Sequence, residues 1–210
     1  MSKVNSFAYG EVSGKFGNTV GAVDKKGRTT MREYRAPGDP KTESQVSQRT
    51  KFGFINTELS FMQRMFKTTY VSYITKEDLR KASWMAVKNS VTGTYPDFTI
   101  DYTRLVIAKG SLPRLGQVSV TVSANGTIDM TWDTTLFLGV DPTDKVKIVF
   151  NDPDMKSWFI SDDNTIRSDG SMTVTIPQSW SGLKVHCWVY AVSSTGKTTS
   201  MSQYVSELQL

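Results

Sequence analysis

His186 is the only histidine in the chain and Cys187 the only cysteine, and they are neighbours. A His–Cys pair is the seed of thiol catalysis or of a zinc site. The dipeptide lies in Val185-His-Cys-Trp-Val-Tyr-Ala-Val192, an apolar run that reads as a strand. Adjacent strand side chains leave opposite faces, so imidazole and thiol do not meet and only one points inward. Structural roles for both are expected. One His and one Cys cannot fill the ligand set of a zinc site within a single chain. A lone cysteine also excludes an intrachain disulfide. Ser–His catalysis would rest on His186 alone, and no serine stands in a nucleophile elbow.

Carboxylates come next. Asp141 and Asp144 flank one turn, Asp152 and Asp154 another, and Asp162, Asp163, Asn164 and Asp169 form the densest group. Calcium takes several oxygens converging from a loop, and this order matches no EF-hand. Solvated loop carboxylates are the expected state, with a calcium site in 152–169 as the alternative. A glycosidase pair needs a separation of roughly 5 to 9 Å, which spacing in sequence does not supply. Gly14-Lys-Phe-Gly-Asn-Thr-Val-Gly21 lacks the Gly-Lys-Ser/Thr ending of a phosphate-binding loop, so its glycines read as tight turns. Trp158, Trp180 and Trp188 could serve a carbohydrate platform, although core packing is the default for each. No catalytic, cofactor-binding or metal-binding residue is expected, and the chain reads as a non-enzyme with no cofactor.

Lys25, Lys26, Arg28, Arg32 and Arg35 crowd a short segment with Tyr34 beside them. Arg28 and Arg32 share a face if strand alternation is unbroken. Such a row suits a phosphate backbone or an acidic partner, and it equally keeps a hairpin from pairing at its edge. The charge is unevenly shared. Residues 1–114 hold 19 Lys or Arg and 10 Asp or Glu, and residues 115–210 hold 6 and 10. A balance of +9 thus faces one of −4 within a chain of net charge +5. That contrast suggests a boundary near 114 and different partners for the two parts.

The elements that position these residues follow from periodicity. Residues 4–35 read as short strands, with Phe7 and Tyr9, then Val20 and Ala22, at period two. Gly27 serves a hairpin turn before a returning strand over Thr29–Tyr34. Asp39-Pro40 offers a helix start, with Thr42 and Gln45 as a second choice. Phe52, Ile55, Leu59, Met62 and Phe66 then recur every three or four residues and predict a helix near 40–67. Thr75, with Asp78 at the third helical position and an Ile74–Leu79 staple, predicts a second helix near 75–90. Tyr95–Tyr102 resumes extended structure and Arg104–Ala108 reads as a strand. Beyond a linker at 110–116 the grammar is strands alone. Val118, Val120 and Val122 alternate with polar residues, and Asn125-Gly126 is a turn signal. Further strands are expected at 145–151, 156–160, 172–176, 184–193 and 198–205. About seven short strands in about 95 residues argue for a β-sandwich.

The sequence therefore predicts a mixed fold. An α+β domain over 1–114 precedes an all-β immunoglobulin-like or fibronectin-like sandwich over 115–210. Ile128-Asp-Met-Thr-Trp132 resembles the second strand of fibronectin type III modules, and Val185–Val192 followed by Gly196 and Ser200 resembles their final hairpin. The whole chain also resembles domain-of-unknown-function family 6266 of Bacteroidota and their mobile elements. The resemblance rests on Gly14–Gly21 and the basic hairpin after it, on Pro40-Lys-Thr-Glu-Ser-Gln45 leading to Arg49-Thr-Lys-Phe52, on Lys88-Asn-Ser-Val-Thr-Gly-Thr-Tyr-Pro96, on Ile100-Asp-Tyr102 and on Gly110-Ser-Leu112. It implies a sandwich-like C-terminal half and a setting rich in phage and surface-assembly proteins, and it brings no catalytic residues.

The function expected is that of a structural or protein-interaction protein, a subunit of a phage-like particle or surface assembly, with protein partners or self-association. Nucleic-acid binding by the basic half is the alternative, and a carbohydrate-binding sandwich the third. No run approaches the roughly 18 to 20 apolar residues of a membrane helix. No signal peptide follows Lys3, and a cytoplasmic or virion-associated protein is expected.

Overall fold

The computed structural model describes residues 3–5, 10–36, 38–39, 41–73, 75–123, 126–135, 139–161 and 164–210. Phe7, Tyr9, Pro40, Ile74, Asn125, Asp162 and Asp163, which entered the expectations above, lie outside them. The chain divides into two compact units, Met1–Thr42 and Glu43–Leu210.

The first unit is one antiparallel sheet in the order β1-β2-β3-β4. Its strands are β1 (Lys3–Asn5), β2 (Gly10–Phe16), β3 (Thr19–Val23) and β4 (Thr29–Glu33). The β3–β4 turn is built by Asp24. Its carboxylate accepts the backbone N–H groups of Lys26 at 2.8 Å and Arg28 at 3.0 Å, and Gly27 supplies a φ of 75°. A side chain there would be strained. Among residues 13–36, 38–39 and 41–42 of this unit, whose burial is described, only Gly21 is buried.

The second unit opens with α1 (Glu43–Thr69) and α2 (Lys76–Ser90). The apolar stripe of α1 buries Ile55, Met62, Met65 and Phe66, while Phe52, at its start, stays 56% exposed. Thr75 caps α2, its hydroxyl accepting the Asp78 N–H at 3.1 Å, which satisfies one of the unpaired donors of the first turn. The hairpin β5 (Val91–Thr94) and β6 (Asp97–Ile100) follows directly.

The remaining strands form two antiparallel sheets. One has the order β11-β8-β7, the other β10-β9-β12-β13. The strands are β7 (Gly116–Ser123), β8 (Thr127–Asp133), β9 (Lys145–Asp152), β10 (Ser157–Ile160), β11 (Ser171–Thr175), β12 (Lys184–Val192) and β13 (Gln203–Gln209). Ile128, Met130 and Trp132 from one sheet share a buried cluster with Val146, Ile148, Phe150, Val185, Cys187 and Val189 from the other. The alternate residues Val149, Trp188 and Tyr190 instead join Ile55, Met62, Phe66 and Val87 of the helices. Strands β9 and β12 are thus covered on both faces, which is why β12 reads as an unbroken apolar run.

Two placements differ from the sequence reading. Arg104–Ala108 forms no strand: Tyr102–Arg104 is a 3-10 turn, and the backbone beyond it is satisfied by side chains. Leu105 O accepts from Trp188 Nε1 at 3.1 Å, Val106 O from the Tyr70 hydroxyl at 2.9 Å, and Ile107 O from Thr69 Oγ1. Ile107 N donates to Ser202 Oγ at 3.0 Å. Two further groups bond to backbone, the Leu105 N–H donating to Tyr102 O at 3.2 Å and Ala108 O accepting from the Ser202 N–H at 2.9 Å, so no ladder is needed to satisfy them. The last strand begins at Gln203 because Thr199 and Ser200 are taken by bridges to Val192 and Leu112. The charge change near residue 114 falls inside the second unit, whose helices and strands share one core. No described helix is long and apolar enough to cross a membrane.

Candidate functional site

In the β2–β3–β4 ladder Lys15 stands opposite Val20, and Val20 opposite Arg32. Alternation places Lys15, Arg32 and Thr30 on one face of the sheet, and Arg28 lies in the turn just before β4. Lys15 Nζ lies 3.8 Å from the centroid of the Tyr34 ring, a cation–π contact. Lys25, Lys26, Arg28, Arg32 and Arg35 are all exposed. Arg28 is held by Asp24 at 3.0 Å, and Arg35 lies 4.0 Å from Glu33. The Arg28 N–H holds the Asp24 carboxyl below its usual range. The opposite face carries Phe16, 61% exposed, and Met31, 57% exposed. The ladder sets Met31 opposite Gly21 and Gly21 opposite Gly14. The sequence reading passed over this apolar face because Met31 sits alone between polar neighbours.

Most of the described loop carboxylates accept local hydrogen bonds, while Asp144 Oδ2 and Asp152 Oδ2 are buried without one. Asp141 accepts the Thr143 N–H at 2.9 Å and its hydroxyl at 2.7 Å, and these bonds lower its pKa. One Asp152 oxygen accepts the Asp154 N–H at 2.9 Å. Asp169 accepts the Ile166 N–H at 2.9 Å, and Asn164 the Lys145 ammonium at 3.4 Å. Asp144 is buried against Arg167 at 3.5 Å. No group of three His, Cys, Asp or Glu among the described residues could hold a metal ion.

His186 and Cys187 leave opposite faces of β12. The thiol is buried in the core between the sheets, and burial pushes its pKa well up. The imidazole stacks on Tyr102 with centroids 4.4 Å apart, and its Nδ1 lies 3.1 Å from the Tyr204 hydroxyl. Burial lowers the His186 pKa below its ordinary value of 6.5, against the pull of Glu207. The unfolded chain therefore takes up this proton first as pH falls. The stability tied to the neutral ring is complete above about pH 6.5 and declines below it. His186→Phe keeps the stack and removes the titration. Denaturant midpoints at pH 7.5 and 5.5 are expected to differ more in the parent than in this variant. Equal differences would exclude the imidazole as the source.

The three tryptophans of interest pack inward. Trp188 and Trp180 are buried, and Trp158 lies half-buried with its ring 5.6 Å from that of Trp188.

A concavity of about 900 Å³ opens between the end of α1, the flank of α2 and the irregular segment after β6. Its apolar wall includes Tyr70, Tyr73, Ala82, Met85, Val106 and Met201. Lys81, Arg104 and Lys109 line it too, with Asp78 as the opposing charge. Ser72 is also in the wall, and its hydroxyl is shut off from water without a hydrogen-bond partner. Stranding a polar group this way costs about 1 to 3 kcal/mol. A second hollow of about 490 Å³ on the helix pair is lined by Phe52, Leu59, Trp84 and Met85. Neither was legible beforehand, since each wall is assembled from separate elements.

The sequence profile of a family of unknown function, DUF6266, matches residues 11–206. No curated protein matches the chain.

Proposed function

The chain belongs to the family of unknown function DUF6266, and on that premise we propose that it is a non-enzymatic structural or protein-interaction protein, a subunit of a phage-like particle or surface-associated assembly. One observation carries this reading: among residues 13–36 of the Met1–Thr42 sheet, whose burial is described, Gly21 alone is buried and two large apolar side chains are more than half exposed on one face. A sheet gains independent stability by burying an apolar face against another layer. Among the described residues it has no such layer of its own, so a protein surface is its natural complement.

The strand region fits the same role. Sheet orders β11-β8-β7 and β10-β9-β12-β13 around one core support a fibronectin-like sandwich over 115–210, a module type widely used for interaction and one that here folds without a disulfide. Sedimentation velocity of the full chain tests the assembly reading. Concentration-dependent association is expected, and it is expected to be lost in Phe16→Ser, Met31→Ser. A parent and a variant that sediment alike as monomers at every concentration would overturn self-association through this face.

A second reading has its own observation: Lys15 and Arg32 on one face, beside Tyr34, with Arg28 in the adjoining turn. Nucleic-acid binding there would make retention of the full chain on DNA or RNA fall steeply with salt. No retention at low salt would remove it.

A further inference from the structure

The concavity beside α2 has three properties that are independent of the N-terminal sheet. Its volume, about 900 Å³, lies within the range of small-molecule sites, roughly 300 to 1,000 Å³. Its wall is mainly apolar, from Tyr73, Ala82, Met85, Val106 and Met201. Its charged groups are of one dominant sign: Lys81, Arg104 and Lys109 against Asp78. Lys81 pairs with Glu77 at 2.8 Å and Arg104 with Asp101 at 3.2 Å. The Lys81–Glu77 pair is exposed, and the Arg104 side chain is exposed beside a half-buried Asp101 that is also held by Thr103; exposed cations of this kind reorganise at little cost. Lys109 is exposed and in no ion pair among the described residues.

We propose that this concavity binds a small organic anion with an apolar body, such as a medium-chain carboxylate. The apolar wall takes the body, and Arg104 and Lys109 take the carboxylate. A neutral lipid would leave the cations unused, and a small inorganic anion would leave the apolar wall wet. The inference does not rest on the assembly reading, and its failure would leave that reading untouched.

The test uses the full chain and decanoate as probe, below the concentration at which it forms micelles. Isothermal titration is paired with amide chemical shifts at Tyr73, Ala82 and Arg104. Decanol and propionate, which share only the chain or only the charge, are the comparison ligands. Decanoate is expected to bind at one site, more tightly than either. The surface variant Arg104→Gln, Lys109→Gln is expected to weaken decanoate about tenfold, the scale of a charge-assisted hydrogen bond, and decanol hardly at all. Ala82→Phe, which fills the floor, is expected to abolish the decanoate shifts. Decanoate binding that is unchanged in the charge variant, or equal to decanol binding, would overturn the proposal. So would absence of binding, or an acidic peptide shifting these amides when decanoate does not.

Discussion

Trp188→Ala is expected to lower the unfolding free energy of the Glu43–Leu210 unit by about 4 kcal/mol, in the range for truncating a buried aromatic. The side chain is fully buried. Its indole N–H donates to Leu105 O at 3.1 Å, and its ring meets those of Trp158, Tyr204 and Tyr102 with centroids 5.6, 5.6 and 6.3 Å away. The cavity left behind lies where β12 meets the helical layer. Leu105 O would also lose its donor in a place water reaches poorly, a cost that adds to the cavity. Because the ring sits in the shared core, helical and strand signals are expected to fall together, by roughly 10 °C at 2 to 4 °C per kcal/mol. Circular dichroism at the helix band and fluorescence of the remaining tryptophans check this. A variant whose helices melt as in the parent while only the strands weaken would show that the two layers are energetically separate.

Arg167→Met is expected to cost about 3 to 5 kcal/mol, the usual penalty for leaving a buried charge unpaired. Arg167 and Asp144 are almost fully buried, 3.5 Å apart. Arg167 also donates to Pro113 O at 2.9 Å and Arg114 O at 3.2 Å. It thereby holds the segment before β7 against the 3-10 turn that precedes β11. Burial raises the Asp144 pKa and lowers that of Arg167, and their mutual attraction opposes both shifts. Desolvation is therefore the larger influence on each, so the pair contributes little net stability while the loss of one partner is costly. The double variant Asp144→Leu, Arg167→Met is expected to recover much of the loss, since no buried charge remains. Denaturant titration of the two variants measures the difference. A double variant no more stable than Arg167→Met would mean that the carbonyl contacts, and not the stranded carboxylate, dominate.

Much of the fold was legible because periodicity is local. The three-and-four spacing from Phe52 to Phe66 marks α1, and Thr75 with Asp78 marks the start of α2, since these signals depend only on neighbours along one helix. The period of two in Val118–Val122 and Ile128–Trp132 marks β7 and β8 in the same way. The segment after Tyr102 was misread for the opposite reason. Leu105 to Ala108 has strand composition, but four of its backbone groups bond to side chains of Thr69, Tyr70, Trp188 and Ser202. Nothing in the local pattern announces donors so remote in sequence. The basic residues around Gly27 were visible as a group, whereas the apolar face behind them depends on the register that sets Met31 beside Gly21. The concavity beside α2 depends on Lys81, Arg104 and Lys109 meeting in one wall, which composition does not encode.

The central claim is that the Met1–Thr42 sheet is an incomplete layer awaiting a protein surface. Backbone hydrogen exchange of the full chain, followed over a range of concentrations, tests it most directly, because exchange reports the local opening free energy of each strand. In dilute solution the amides of β3 and β4 are expected to exchange far faster than those of β9 and β12, and to slow as concentration rises and copies meet. Protection of β3 and β4 equal to that of β9 and β12 at the lowest concentration would contradict the claim, since the sheet would then be stable without any partner.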